Sequence, residues 1–457
     1  MRILGMPVYF RIKERTKGGV MGMKPGAWDY FRGLLIDNNV SDEDLNRFDV
    51  LVARRRFLQL LGKGSAAVAL LGFGAGTDAV VSGLFGRGLI PIAWAAETEI
   101  ISKPGMIIHS EKPVVGEFSP HLLDDDITPS SRHFVRNHGL IPERAQKRDL
   151  QGWTLTIDGA VHTPLQLSME DLKNMPSVSI PACIESSGNG RIFFEPAVSG
   201  VSWKQGAVGC SEWTGVPLRE ILNRAGLKEG AVYTGHYGED RPLSGAPPFS
   251  RGIPIDKAME RNTLVAYKMN GKDLPALNGY PARLVVPGWI GSCSQKWLSR
   301  IWIRTQVHDS EYMSGYSYRV PSYPVIPGSK PAEKDMIIAT SLPINSMITS
   351  PPANSHFKVG EVINVRGHAW TGEGKIRKLL ITTDYGLTWN IAKLESPVNK
   401  FAWCRWEIDI KFDHKGYYEI WSKAYDDDGH NQPFRQPWNP GGYLGNAVHR
   451  LPVIIGL

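Results

Sequence analysis

Cysteine is scarce in this chain: there are four in 457 residues, Cys183, Cys210, Cys293 and Cys404, and no two stand in C-x-x-C spacing. That argues against a zinc site, and the lack of C-x-x-C-H argues against covalently attached haem. In an oxidising compartment a disulfide among them is open, but spacing alone does not choose a pair. Charge of one sign is also missing from the body of the protein. The formal charge is +7, yet residues 1–95 hold 13 Lys/Arg against 8 Asp/Glu, leaving 39 against 37 in the remainder. A nucleic-acid footprint needs a basic face, so that class is not supported. No internal repeat is present, and 42% apolar with 21% charged residues excludes disordered and collagen-like chains. The length allows two or three domains with full cores.

Long clean apolar runs are absent too. Gly64 to Trp94 is weakly apolar, but Asp78, Arg87 and eight glycines between Gly62 and Gly88 make it a poor membrane helix, because a charge at the bilayer centre is expensive. The stretch follows Ala53-Arg54-Arg55-Arg56-Phe57-Leu58-Gln59 and ends on Ala93-Trp94-Ala95, an A-x-A cleavage pattern. Residues 53–95 therefore read as a twin-arginine export signal, processed after Ala95, rather than a retained anchor. The expected location is the periplasm. That route carries folded proteins, which suits a protein that takes up a complex cofactor before export. Residues 1–52 form an N-terminal extension of unknown role, with an extended signal or a later start at Met21 or Met23 as the two accounts of it.

Behind the signal, residues 103–325 read as an α+β domain whose loops carry the special residues. Trp153 to Gly159 alternates as a strand. Ser168 with Asp171 caps a helix over Met169 to Asn174, and Leu218, Ile221, Leu222 and Ala225 space a second helix closed by Gly226. Arg283 to Gly288 reads as a short buried strand. After the Pro/Ser-rich join Val320 to Pro331, residues 340–457 read as an all-β sandwich. Its expected strands are Val362 to Arg366 running on to Trp370, Ile376 to Thr382, Ala402 to Ile410 and Tyr417 to Ala424.

Two loops carry the chemistry. Phe134-Val135-Arg136-Asn137-His138 puts a guanidinium, an amide and an imidazole side by side, a combination suited to a tetrahedral oxyanion or a phosphate. Ile184-Glu185-Ser186-Ser187-Gly188-Asn189-Gly190-Arg191 follows an apolar run, and its glycines allow close backbone approach beside another cation. With Glu212 to Leu218, Ala266 to Gly271, Gly279 to Arg283, Lys296-Trp297-Leu298, Asp384 to Trp389 and Gly445 to Arg450, these loops resemble the sulfite oxidase family of molybdenum enzymes over about residues 105–457.

The resemblance implies a molybdopterin-binding domain followed by an immunoglobulin-like dimerisation domain, a molybdenum–molybdopterin cofactor, no haem in this chain, and a homodimer. It places pterin-gripping roles on Phe134, Val135, Arg136, Asn137, His138, Asp240, Arg283, Ser294, Gln295 and Lys296. A family histidine is replaced by Asn278, which hydrogen-bonds but carries no charge. The substrate cage it implies is Arg136, Arg191 and a tyrosine, with Tyr312 as the candidate and Tyr316 as the alternative. Where the family has its molybdenum-binding cysteine, this chain has Ser186. Three readings follow: Ser186 coordinates as an alkoxide, a harder donor than a thiolate; Cys183, three residues upstream, reaches the metal; or pterin is bound without normal turnover. The implied function is oxidation of sulfite or a related small inorganic sulfur anion, with electrons passed to a separate cytochrome c. The alternatives are a molybdopterin reductase of S- or N-oxides and a non-catalytic pterin-binding relic.

Overall fold

The computed structural model describes residues 103–456, Ser244 excepted, and two short strands near the start, Arg2–Ile3 and Met6–Pro7, which pair antiparallel. The export signal expected at 53–95 and the rest of the extension lie outside the described residues. Among the described residues no helix is long and apolar enough to cross a membrane.

The first sheet runs Lys272–Asp273, Leu264–Met269, Val208–Pro217 and Val178–Glu185, with Arg283–Val285 also on Leu264–Met269. Val208–Pro217 and most of Val178–Glu185 are buried on both sides despite the polar Ser211 and Glu185 among them. The second sheet runs Ser250–Pro254, Tyr233–Gly238, Leu298–Arg304, Leu155–Gly159 and Leu165–Leu167, with one parallel pair, Leu298–Arg304 on Leu155–Gly159. A small third sheet of Ile107–Glu111, Val114–Glu117 and Val135–Arg136 presents the first motif. Helix Met169–Asn174 starts on the expected capping box of Ser168 and Asp171. Helix Leu218–Ala225 buries the four apolar positions read from the sequence and stops at Gly226, whose φ of 67° favours glycine.

The C-terminal region is two facing sheets. One runs Asn345–Ser350, Ile363–Trp370, Cys404–Ile410 and Lys393–Leu394; the other Ser355–Phe357, His449–Ile455, Gly416–Asp426, Ile376–Thr382 and Asn390–Ile391. Val365 and Ala369 meet Leu379, Ile381, Ile420, Ala424 and Val453 in the core between them.

The two cores are not sealed from each other. Trp370, Phe401 and Trp403 of the C-terminal region pack into the first core. Phe401 O accepts from Cys183 N at 2.9 Å and Asn399 Nδ2 donates to Pro181 O at 2.9 Å, so a sandwich loop covers the free edge of strand Val178–Glu185. Asp124 bridges to Arg366 at 2.8 Å and Arg405 at 3.5 Å, and Asp126 to Arg405 at 2.6 Å, fastening the same contact at its rim. All four cysteines are free and buried.

Candidate active site

Strand Val178–Glu185 ends against the mouth of a cleft that Ile184 and Ser186 help to line. The cleft brings together Phe134, Arg136, Asn137, His138, Ser186, Asp240, Asn278, Arg283, Ser294, Gln295 and Lys296 from loops far apart in the chain. Val135 is not among the lining residues; it is buried in the short strand that aims its neighbours.

The cations are held by neutral acceptors. Arg283 donates to Asn278 O and Ser294 O, both at 3.0 Å, and stacks on Trp213. Lys296 donates to Leu277 O at 3.1 Å and to Asn137 Oδ1. Burial, then the charges of Arg283 and its neighbours, pulls the Lys296 ammonium well below its usual range, and burial lowers Arg283 to about 9. Among the described residues Asp240 is the only carboxylate lining the cleft. Burial is the main cause holding His138 neutral, with Arg136 next; its Nε2 is hydrogen-bonded to the Tyr318 hydroxyl at 2.6 Å and its ring stacks on Phe249 at 3.8 Å.

Four buried polar atoms in the lining have no partner among the described residues: His133 Nε2, Asn137 Nδ2, Ser292 Oγ and Gln295 Oε1. Burying such groups unpaired is costly. Donors and acceptors left open in the lining, with Arg283 and Lys296 in the same lining, fit a polar heterocycle bearing an anion. A pterin phosphate has that chemistry.

The wider approach is lined by Arg136, Arg191, Ser186, Ser187, Tyr316, Tyr318 and Tyr443, among others, with no Asp or Glu in the wall among the described residues. Arg191 Nε donates to Gly441 O at 3.1 Å and Nη1 to Val201 O at 3.0 Å, with the guanidinium 5.2 Å from the Tyr443 ring centre. A methyl group on Gly188 would lie 2.3 Å from Arg191 Nη2, so glycine there makes room for the guanidinium.

Ser186 lines both the cleft and its approach. Cys183 lines neither: Ile184 faces the cleft, while the Cys183 thiol lies against Cys210, directly opposite on the neighbouring strand. Burial, then Cys210, pushes that thiol well above its usual range. Nor does the structure bring Tyr312 to the lining, because its ring packs behind, 4.9 Å from Phe249 and 5.3 Å from His138. Tyr316 reaches the approach but spends its hydroxyl on Pro331 O. Tyr318, which sequence reasoning passed over, lines both spaces. His133 and Ser292 were also missed, although each adjoins a motif that was read.

Residues 138–312 match the oxidoreductase molybdopterin binding domain, and residues 336–456 the Mo-co oxidoreductase dimerisation domain. The fold and cleft thus define a molybdopterin oxidoreductase with a domain that supports homodimer formation. The mitochondrial sulfite oxidases of Macaca fascicularis and Homo sapiens are 33% and 32% identical over 376 residues, 78% of this chain and 67% of each relative. An NADH nitrate reductase of Phaseolus vulgaris is 33% identical over 352 residues, 71% of this chain and 39% of that protein. The crystal structure of the sulfane dehydrogenase SoxCD from Paracoccus pantotrophus superposes with a TM-score of 0.63 at 27% identity, covering 83% of this chain and 92% of that one. The chain belongs to the sulfite oxidase family and is an enzyme that uses a molybdenum–molybdopterin cofactor.

Proposed function

We propose that this enzyme oxidises a small inorganic sulfur anion, sulfite or a sulfane-type species, in the periplasm and passes the electrons to a separate cytochrome c. The observation that carries the reading is the approach itself: Arg136 and Arg191 line it and, among the described residues, no carboxylate does. When bound, the cofactor supplies two-electron oxygen-transfer chemistry at molybdenum. The protein's part is to hold the anion. The Arg191 guanidinium is fixed by carbonyls on two of its nitrogens, Arg136 shares the wall, and the Tyr318 hydroxyl stays protonated because burial pushes its pKa up. Donors fixed in advance around a partly closed site bind charge without reorganising.

We assign the metal-ligand position to Ser186, since Ser186 lines the cleft and Cys183, whose thiol lies against Cys210, does not. The sandwich is read as immunoglobulin-like, with the domains at 103–325 and 340–457. Names among the relatives point both to sulfite oxidation and to nitrate reduction, so the direction of transfer rests on the cleft. The hard hydroxyl at 186 favours a second reading, reduction of an S- or N-oxide.

Holoenzyme assayed with sulfite or a sulfane-sulfur donor plus oxidised cytochrome c, against an S-oxide, an N-oxide and nitrate plus a reduced dye, separates the two. Turnover with the oxides alone removes the sulfur-oxidation reading. Molybdenum content is expected to fall in Ser186→Ala, persist in Ser186→Cys and be unchanged in Cys183→Ala; dependence on Cys183 reverses the ligand assignment.

A further inference from the structure

Lys103 lies ahead of the first strand, 8% exposed, and its ammonium donates to Ser130 O at 2.7 Å, His133 O at 2.7 Å and Asn278 Oδ1 at 3.0 Å. All three acceptors are neutral. Burial, then the charge of Arg283, lowers this lysine to about 7. Among the described residues no carboxylate pairs with this ammonium, and one buried so is costlier than an apolar side chain of similar volume, so packing does not account for lysine at this position. An anion arriving in the cleft does.

The contact also fixes Asn278. A lysine only donates, so it takes the amide oxygen and leaves Nδ2, with two N–H groups, as what Asn278 offers. Asn278 lines the cleft, and among the described residues nothing accepts from Nδ2. Arg283 and Lys296 flank it, bonded to carbonyl and amide oxygens. Two buried cations, Lys103 and Arg283, thus stand with the half-buried Lys296 around Asn278, and among the described residues Asp240 is the one carboxylate in the lining.

We propose that Lys103 and Asn278 form an anion-binding couple for the phosphate of the pterin cofactor: Asn278 Nδ2 donates to the phosphate, and Lys103 behind it orients the amide and supplies charge. Lys103 is thus a positioning residue, contributed by the segment immediately ahead of the first strand. The proposal rests on the cofactor assignment and not on the choice of substrate.

The test measures pterin per chain in full-length protein from a pterin-competent host, and the Tm of the same variants from a host that makes no pterin. Lys103→Met is expected to retain roughly tenfold less pterin, the weight of one charge-assisted hydrogen bond. Its cofactor-free Tm stays level or rises, because an unpaired buried charge is gone. Asn278→Asp keeps the bond to Lys103 but turns an oxygen toward the phosphate; it loses pterin with the cofactor-free protein intact. The double variant Lys103→Met with Asn278→His recovers most of the pterin, since imidazole brings its own N–H and, protonated, its own charge. Wild-type pterin levels in Lys103→Met or Asn278→Asp overturn the couple. So does a pterin loss in Lys103→Met accompanied by a drop in cofactor-free Tm, which marks a structural lysine. Pterin lost as expected in a protein that shows no sulfur oxidation removes the substrate reading and leaves the couple supported.

Discussion

Arg191 shows how far a single side chain depends on its surroundings. Two of its three nitrogens are spent on carbonyls, and Gly188, Gly200 and Gly442 each lie where a methyl group would press on it, at 2.3, 3.0 and 2.4 Å from the nearest atom. For Gly442 that nearest atom is Val198 Cγ2, with Arg191 next at 2.8 Å. Gly188→Ala is therefore expected to displace the guanidinium and raise KM for the anionic substrate about tenfold, the loss of one charge-assisted contact, with molybdenum content unchanged. An unaltered KM would show that Arg191 takes no part in holding substrate. The two tyrosines are separated by a simpler contrast. Tyr318→Phe removes the hydroxyl bonded to His138 and is expected to lower kcat/KM, whereas Tyr312→Phe changes a ring behind the lining and is expected to leave it near wild type. The reverse result restores Tyr312. Arg136, Asn137, Asp240 and Lys296 were legible in the sequence because each sits in a short ordered motif. Tyr318 was not, because several tyrosines crowd Tyr312 to Tyr318 and only packing decides which faces the cavity.

Strand Val178–Glu185 is the element on which the site turns. Its end is clamped from the sandwich side: the Glu185 carboxylate is buried and accepts from Trp370 Nε1 at 2.8 Å, Asn189 Nδ2 at 2.8 Å and Asn345 Nδ2 at 3.2 Å. Asn189 belongs to the same turn as Ser186, and its Oδ1 accepts from Ala207 N at 3.1 Å. Trp370→Phe keeps the aromatic bulk but leaves the carboxylate one donor short, a cost of about 1–3 kcal/mol. The expected outcome is a lower Tm by calorimetry together with reduced molybdenum content; a fall in Tm with full metal content would confine the clamp to folding. The helices were legible through apolar spacing, a capping box and a terminal glycine. Strands such as Asn345–Ser350 were not, since Asn345, Ser346 and Thr349 are polar yet buried among partners supplied by other segments.

At the scale of the whole molecule, buried neutral histidines set the acid limit. Burial lowers His236 to about 3, His368 to about 3, His308 to about 4 and His449 to about 4. In the unfolded chain each titrates near 6.5. Between those values the unfolded state binds more protons, so stability rises with pH through that window and is lost as pH falls from about 6.5 toward 4. Glu185, raised to about 7 by burial, acts in the opposite sense, since it is protonated in the folded state over part of the same range. Four histidines outweigh one carboxyl, so Tm is expected to be several degrees lower at pH 5 than at pH 7, and a flat or inverted profile would show that the histidines do not control it. Asp124→Asn, which weakens the bridges to Arg366 and Arg405 at the rim between the regions, is expected to give a smaller loss that high salt diminishes.

The sequence by itself determined the family, the order of the two regions and the polar loops, because motifs, periodicity and capping are local and survive in one dimension. Only the tertiary structure decided that Ser186 and not Cys183 lines the cleft, that Tyr318 supplies the ring, and that Lys103 lies behind Asn278 across most of the first domain. The physical reason is that side-chain direction along a strand flips with each residue, and the partner that neutralises or orients a buried group comes from wherever the fold brings one. Spacing records neither.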